Sequence, residues 1–330
     1  MKTAIIGMGR MGRLRKELLE QHDELELVAV CDIAPQVAYD VPCYTDWRQL
    51  LARENPEVVF VCTYNNVICD IVCECLQRGM HVFSEKPPGR NLQDALTMQA
   101  AAEKAPGQVL KFGFNHRLHN SVLEARAILD SGQLGEVVCA RGAYGKAGEK
   151  SYATQWRSDR EKAGGGILLD QGIHMLDLLL YFMGDLSLVD SVVENFVWKD
   201  VQLEDNAMAI LRGASGRSAL FHSSATQWRH LFRLELLCEG GYIHLEGLIT
   251  STMSYGEESV RIGYKDIGQI TGKLGMPSEQ VYYYDNDASW NLEMQEFVEA
   301  LQGKHPIVHG TIDDAVRLMR LVEAIYSGRH

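Results

Sequence analysis

The stretch Gly7-Met8-Gly9-Arg10-Met11-Gly12 restricts what this chain can fold into more than any other. It follows a short apolar run, Lys2–Ile6, that reads as a strand, and it opens a helical pattern reaching to about residue 21. A G-x-G-x-x-G turn between a strand and a helix has a definite physical use. The first glycine takes a tight turn, the second lets an anion approach the backbone, and the third lets helix and strand pack closely. The start of the helix adds unpaired N–H groups and a partial positive charge. A second strand, at 25–32, ends on Asp32, 20 residues after Gly12.

A carboxylate at that place accepts hydrogen bonds from the adenosine ribose. It also repels a 2′-phosphate, and the neighbouring Ile33 supplies no cation to bind one. The expected ligand is therefore NAD(H) in preference to NADP(H), with Gly7, Gly9, Arg10, Met11, Gly12, Asp32 and Ile33 around it. Further apolar strands at 58–62, 80–84 and 109–113 alternate with helical patterns at 70–78 and 91–104. Near-continuous apolar strands between helices predict a doubly wound parallel sheet, an α/β fold covered on both faces.

The pattern changes after residue 118. A helix at 121–131 leads into strands at 136–144, 188–198, 207–211, 218–225, 232–238 and 242–245, several separated by only a few turn residues. Short turns favour antiparallel neighbours. Helices at 289–302 and 312–327 close the chain, and 250–285 carries no clear pattern. With 330 residues, two domains are expected. They are 1–118 for the nucleotide and 119–330 for substrate and self-association, a C-terminal helix being free to pack back on the first.

The net charge of −12 argues against a nucleic-acid partner. An anionic substrate would need a local cluster of Arg or Lys to overcome that field. No signal or membrane segment is expected, since the apolar stretch 167–183 is interrupted by Asp170, His174 and Asp177. The eight cysteines lack metal-ligand spacing and fit buried, reduced thiols, so a cytoplasmic protein without a metal is expected.

Two segments carry chemistry. Lys86, before Pro87 at the end of the fourth strand, sits where open α/β sheets bind ligands. After Gly164-Gly165-Gly166, a helix from about residue 169 would align Asp170, His174, Asp177 and Tyr181 along one stripe, beside an apolar stripe of Leu169, Ile173, Leu176 and Leu180. An imidazole one turn from a carboxylate suits proton transfer. Read singly, the pair fits a core histidine held by an acid better, and Lys86 fits a solvated turn equally well.

Taken together, these segments resemble the Gfo/Idh/MocA oxidoreductases, a family that includes glucose–fructose oxidoreductase and inositol dehydrogenase. The resemblance is carried by AIIGMGRMG, Asp32, VVFVCTYNN at 58–66, SEKP at 84–87, FNHR at 114–117, GGGILLDQGIHMLD at 164–177 and the C-terminal helix pair. It implies a Rossmann domain followed by an α+β domain with an open-faced, mostly antiparallel sheet that often mediates oligomers, here a dimer or tetramer. It implies catalytic roles for Lys86, Asp170 and His174, and cofactor contacts from Thr63, Asn65, Glu85 and Lys86. The family's T-P-N-x-x-H reads Thr63-Tyr64-Asn65-Asn66-Val67-Ile68, without the Pro and the His.

The expected reaction is hydride transfer between nicotinamide and a secondary hydroxyl or ketone. His174 takes the hydroxyl proton, Lys86 hydrogen-bonds the same oxygen, and Asp170 orients the substrate; Lys86 remains an alternative proton acceptor. Asn115, Arg117, Trp156 and Arg157 are expected substrate contacts, with His116 able to add a polar contact beside them, pointing to a sugar or nucleotide-linked sugar, then to an inositol or free aldose. An NAD-using glycosidase and a non-catalytic nucleotide-binding regulator are the readings from other classes.

Overall fold

The computed structural model describes residues 1–34, 38–148, 152–265 and 278–328. Of the region without a clear pattern, 266–277 lies outside the described residues. The chain divides into two compact units. The first comprises Met1–Asn115, Asp159–Gly164 and Trp290–Arg320; the second comprises His116–Ser158, Gly165–Ser289 and the chain from Leu321.

In the first unit, strands β1 (Lys2–Ile6), β2 (Glu26–Cys31), β3 (Cys43–Tyr44), β4 (Val58–Val61), β5 (His81–Ser84) and β6 (Leu110–Phe112) form one parallel sheet. Their order is β3-β2-β1-β4-β5-β6, that of the doubly wound dinucleotide-binding fold. Helices α1 (Arg10–Leu19), α2 (Trp47–Glu54), α3 (Asn65–Gln77) and α4 (Leu92–Glu103) connect the strands. Every residue of β4 is buried, as the run VVFV requires of a strand covered on both faces. The rings of Phe60 and Phe83 stack at 5.3 Å, and Phe297 packs edge-on against both at 5.6 and 5.3 Å. Phe297 comes from a late helix of the chain, so the core of this unit is closed by residues far away in sequence. Of these strands and helices, β3, only two residues long, and α2 went unread.

The second unit opens with α5 (Asn120–Asp130) and β7 (Val137–Gly145). The short helix α6 (Arg160–Ala163), which belongs to the first unit, intervenes before α7 (Ile173–Met183). Then come β8 (Leu186–Glu194), β9 (Asn206–Gly213), β10 (Ser218–Ser224), β11 (Leu231–Cys238), β12 (Gly241–Glu246), β13 (Glu258–Tyr264) and β14 (Glu279–Tyr284). α8 (Ser289–Leu301) and α9 (Ile312–Ser327) end the chain. The eight strands lie in the order β14-β13-β12-β11-β7-β10-β9-β8. All neighbours are antiparallel except β7 and β10, which pair in parallel from Cys139 and Ser218. Short turns join β9 to β10 and β11 to β12, but β10 reaches β7 by a long crossover, so turn length says nothing about that pair.

β8 ends at Glu194, short of the expected 198, because the Asp205 carboxylate accepts hydrogen bonds from the N–H groups of Phe196, Val197 and Trp198 and holds them in a turn. The stretch Arg160–Met183 is long and apolar enough to cross a bilayer, yet 83% of its most apolar window is buried within the protein. Ten of the 11 residues of α7 are buried, which identifies a core helix.

Candidate functional site

The candidate nucleotide site of the first unit is built on the turn from β1 to α1. Gly7 adopts φ +95°, and a Cβ there would lie 2.3 Å from the Cys62 carbonyl oxygen. A Cβ on Gly12 would lie 1.9 Å from the Gly7 oxygen. Side chains are thus excluded at both ends of the turn. A Cβ on Gly9, by contrast, would meet nothing within 4 Å. Gly9 caps α1 without a side-chain cap hydrogen bond, and Arg10 and Gly9 are exposed. Open space at the start of a helix that lacks a side-chain cap fits a bound phosphate. Asp32 follows β2, and its Oδ2 accepts from the Met8 N–H at 2.8 Å while its Oδ1 accepts from Ala34 N–H at 2.9 Å. Ile33 is 71% exposed beside it. Met11, also in the turn, is half-buried.

Other expected cofactor residues have structural partners. Asn65 is buried at the start of α3, and its Nδ2 donates to the Ala163 carbonyl at 2.8 Å. The Glu85 carboxylate accepts from Arg15 Nε at 2.7 Å. Thr63, just after β4, and Lys86, just after β5, are half-buried, and the Lys86–Pro87 bond is cis. Asn115 is buried at the end of this unit's first segment.

In the second unit, Leu168–Gly172 forms a π-helical turn that runs into α7. The expected α-helix from residue 169 is therefore corrected. A π turn carries more residues than an α turn, so Asp170 is displaced from the regular stripe; such turns recur at functional sites. His174 lies in the first turn of α7 with its ring stacked on His116 at 3.7 Å and 16°. His116 Nε2 and the Tyr144 hydroxyl are 3.1 Å apart. Burial pushes the Tyr144 hydroxyl well above its ordinary pKa and that of Tyr255 up to about 12; the Asp170 charge adds to both. The Tyr255 hydroxyl accepts from Gln171 Nε2, and the rings of Tyr255 and Tyr144 are 5.3 Å apart.

Asp170 is held from both sides. Its Oδ2 accepts from Lys146 Nζ at 2.8 Å and its Oδ1 from Arg157 Nε at 2.9 Å. Arg157 lies against the Trp156 ring, Cζ to centroid 4.6 Å. The structure thus gathers Asp170, His174, Trp156 and Arg157 in one neighbourhood bridged by Tyr144. His116 was expected to add polar contacts; Lys146, Tyr144 and Tyr255 were not expected at the site. No local pattern marks Lys146, which simply follows a strand. Arg117 and Asp177 behave otherwise: they form a buried, two-bond ion pair at 2.8 and 2.6 Å, with Tyr181 against the guanidinium at 5.1 Å. Among the described residues, no group of three or more His, Cys, Asp or Glu is arranged to hold a metal ion.

Comparison with known proteins agrees with both halves. Residues 1–113 match the model of an oxidoreductase family with an NAD-binding Rossmann fold, and residues 122–244 match the GFO/IDH/MocA C-terminal domain. The D-glucoside 3-dehydrogenase of Escherichia coli is 32% identical over 193 residues, 56% of this chain and 54% of that protein, so the match spans about half of its length. The myo-inositol 2-dehydrogenase of Thermotoga maritima is 26% identical over 271 residues, 78% of this chain and 79% of that protein. A levoglucosan dehydrogenase solved in complex with NADH superposes with a TM-score of 0.85 at 17% identity, covering 99% of this chain and 96% of the other, a likeness of fold.

Proposed function

The chain belongs to the GFO/IDH/MocA oxidoreductase family, and on that premise we propose that it is an NAD-dependent dehydrogenase or reductase acting on a secondary hydroxyl or ketone of a sugar or nucleotide-linked sugar. The observation that carries this reading is the Gly7–Gly12 turn, closed to side chains at both ends, open at Gly9 and followed by Asp32. Bound there, NAD supplies the hydride acceptor or donor. The turn and the N-terminus of α1 hold its phosphates, and Asp32, with no cation at residue 33, selects the coenzyme without a 2′-phosphate.

The chain's own residues then handle the proton. The His174 imidazole accepts it from the substrate hydroxyl and returns it in the reverse direction. Stacking on His116 fixes the plane of that ring. The Lys86 ammonium donates a hydrogen bond to the substrate oxygen as negative charge grows there. Asp170, immobilised between Lys146 and Arg157, orients the sugar. Purified protein given NAD and a panel of sugars and nucleotide sugars should gain near-ultraviolet absorbance from reduced coenzyme. Lys86→Met and His174→Ala should each lose turnover while retaining coenzyme binding; normal turnover in either would remove that residue from the mechanism, and failure to bind NADH would remove the whole reading.

A homo-oligomer, dimer or tetramer, belongs to the same proposal. On the second sheet Val192 faces Met208 and Leu220 faces Ile210 across neighbouring strands, all four 37–49% exposed. A contiguous apolar patch on a sheet face suits a self-complementary interface. Ile210→Asp should shift the sedimentation of the protein toward the monomer. All eight cysteines are free thiols, in keeping with a place in the reducing cytoplasm.

A further inference from the structure

Cys69 and Cys73 lie one turn apart on α3, and both are half-buried free thiols. Residues at that spacing share one face of a helix. Here that face is turned toward α4, since Cys69 Sγ is 3.5 Å from the Asp94 carbonyl oxygen and Cys73 Sγ is 3.9 Å from that of Thr97. Cys73 also lines a cleft of about 390 Å³ with Leu76, Thr97, Ala101 and Lys104. The hydride-transfer chemistry proposed above uses neither sulfur. Two other pairs of cysteines are split by their backbones. Cys43 is the strand partner of Val30, so Cys31, the next residue along β2, points to the opposite face of the sheet. Cys75 is buried, and two residues from Cys73 it faces another side of α3.

The spacing selects the ligand. Side chains four apart on a helix have Cβ atoms about 5–6 Å apart, whereas a disulfide needs about 3.5–4.5 Å. The pair therefore cannot close on itself while α3 stays wound, but one atom placed between the sulfurs spans the gap. A zinc ion takes four ligands, and among the described residues no group of three or more His, Cys, Asp or Glu is arranged to hold a metal. Trivalent arsenic that carries one organic group needs only two sulfurs.

We propose that Cys69 and Cys73 form a dithiol site for a trivalent organoarsenical, whose arsenic bridges the two sulfurs and whose organic group lies in the cleft between α3 and α4. The step balances without an oxidant. An arsine oxide gives up its oxygen as one water, which carries away both thiol protons. Two As–S bonds replace the bonding to oxygen, and the arsenic stays trivalent. Cys73 bonds first: a hydrogen bond with Cys69 holds its thiol below the ordinary cysteine pKa, while the same hydrogen bond pushes Cys69 up. The reagent is uncharged, so the negative charges of Asp70 and Asp94, which act on both sulfurs, do not repel it. Leu76 and Ala101 offer apolar surface to an aryl group.

The test adds phenylarsine oxide to the reduced protein, then excess mercaptoethanol, and reads the adduct by intact-protein mass spectrometry. A monothiol competes poorly with two sulfurs held on one helix, because the second bond forms intramolecularly. One phenylarsenic group per chain should survive mercaptoethanol and leave on addition of ethanedithiol. Proteolysis before the ethanedithiol step should place the arsenic on the peptide that contains both Cys69 and Cys73. Cys69→Ser and Cys73→Ser should each lose the retained group, and Cys43→Ser should keep it. No retained group on the parent, a group mapped to another peptide, or one that survives mercaptoethanol in either α3 variant would each overturn the proposal. The peptide map is read on the parent protein and decides the matter even where a variant folds poorly.

Discussion

The Arg15 guanidinium meets the Glu85 carboxylate at 2.7 Å with none of the arginine side chain exposed. The same guanidinium reaches Glu293 of α8 at 2.6 Å and lies over the Phe83 ring at 4.2 Å. Burial works against its charge, but Glu85 and Glu293 raise its pKa above the ordinary arginine value. One residue of α1 therefore ties the end of β5 to a helix almost 280 residues later in the chain. Glu85 immediately precedes Lys86, so this buried network fixes the backbone from which the lysine projects.

Arg15→Met should be severely destabilising. It leaves Glu85 and Glu293 buried with their cation removed, a kind of change that typically costs about 3–5 kcal/mol. Urea denaturation followed by circular dichroism at neutral pH measures the loss. A variant within about 1 kcal/mol of the parent would mean that water or another cation takes over the two carboxylates.

The nucleotide turn separates binding from folding. Gly9→Ala places its Cβ in open space at an ordinary φ of −66°, so the thermal midpoint should stay near that of the parent while NADH affinity falls. Gly12→Ala drives a Cβ to 1.9 Å from a backbone oxygen and should lower both. Differential scanning fluorimetry, with and without NADH, reads the two effects together. An intact NADH-induced shift in Gly9→Ala would place the phosphates elsewhere.

What the sequence revealed follows the range of the interactions involved. The glycine turn, Asp32 and the apolar strands of the first sheet were legible because each is a local pattern with a period or a fixed spacing. Asp177 was not: helical spacing sets it on one stripe with Asp170 and His174, yet its role is to neutralise Arg117, 60 residues away, and no local rule gives that pairing. The cation pair on Asp170 was half legible, through Arg157, and half hidden, through Lys146. β14 escaped for another reason. β14 is an edge strand, EQVYYY, with almost every residue exposed, so no burial imposes alternation on it. The π turn at 168–172 is set by its surroundings, including the buried Glu204 carboxylate that accepts from the N–H groups of Gly166 and Leu168, and helical periodicity has no means of announcing it.

The acid limb of stability should be governed in part by Glu296. Its Oε2 accepts from the buried Lys111 ammonium at 2.5 Å, and its Oε1 accepts from the N–H groups of Val308 and His309 at 2.7 and 2.9 Å. Burial alone would raise its pKa, but the hydrogen bond with His309 and the Lys111 charge outweigh burial and bring it from the usual 4.5 down to about 2. The carboxylate is thus favoured in the folded state, and its stabilisation is complete above the unfolded pKa. It is lost as pH falls from about 4.5 to about 2. Glu296→Gln should be less stable than the parent at pH 7, with the gap narrowing over that acid window. Glu293, whose pKa burial raises, titrates in the opposite sense but is present in both proteins. Urea midpoints measured from pH 7 downward would show the convergence; a gap that stays constant with pH would mean that Glu296 stabilises the fold by packing and not by its charge.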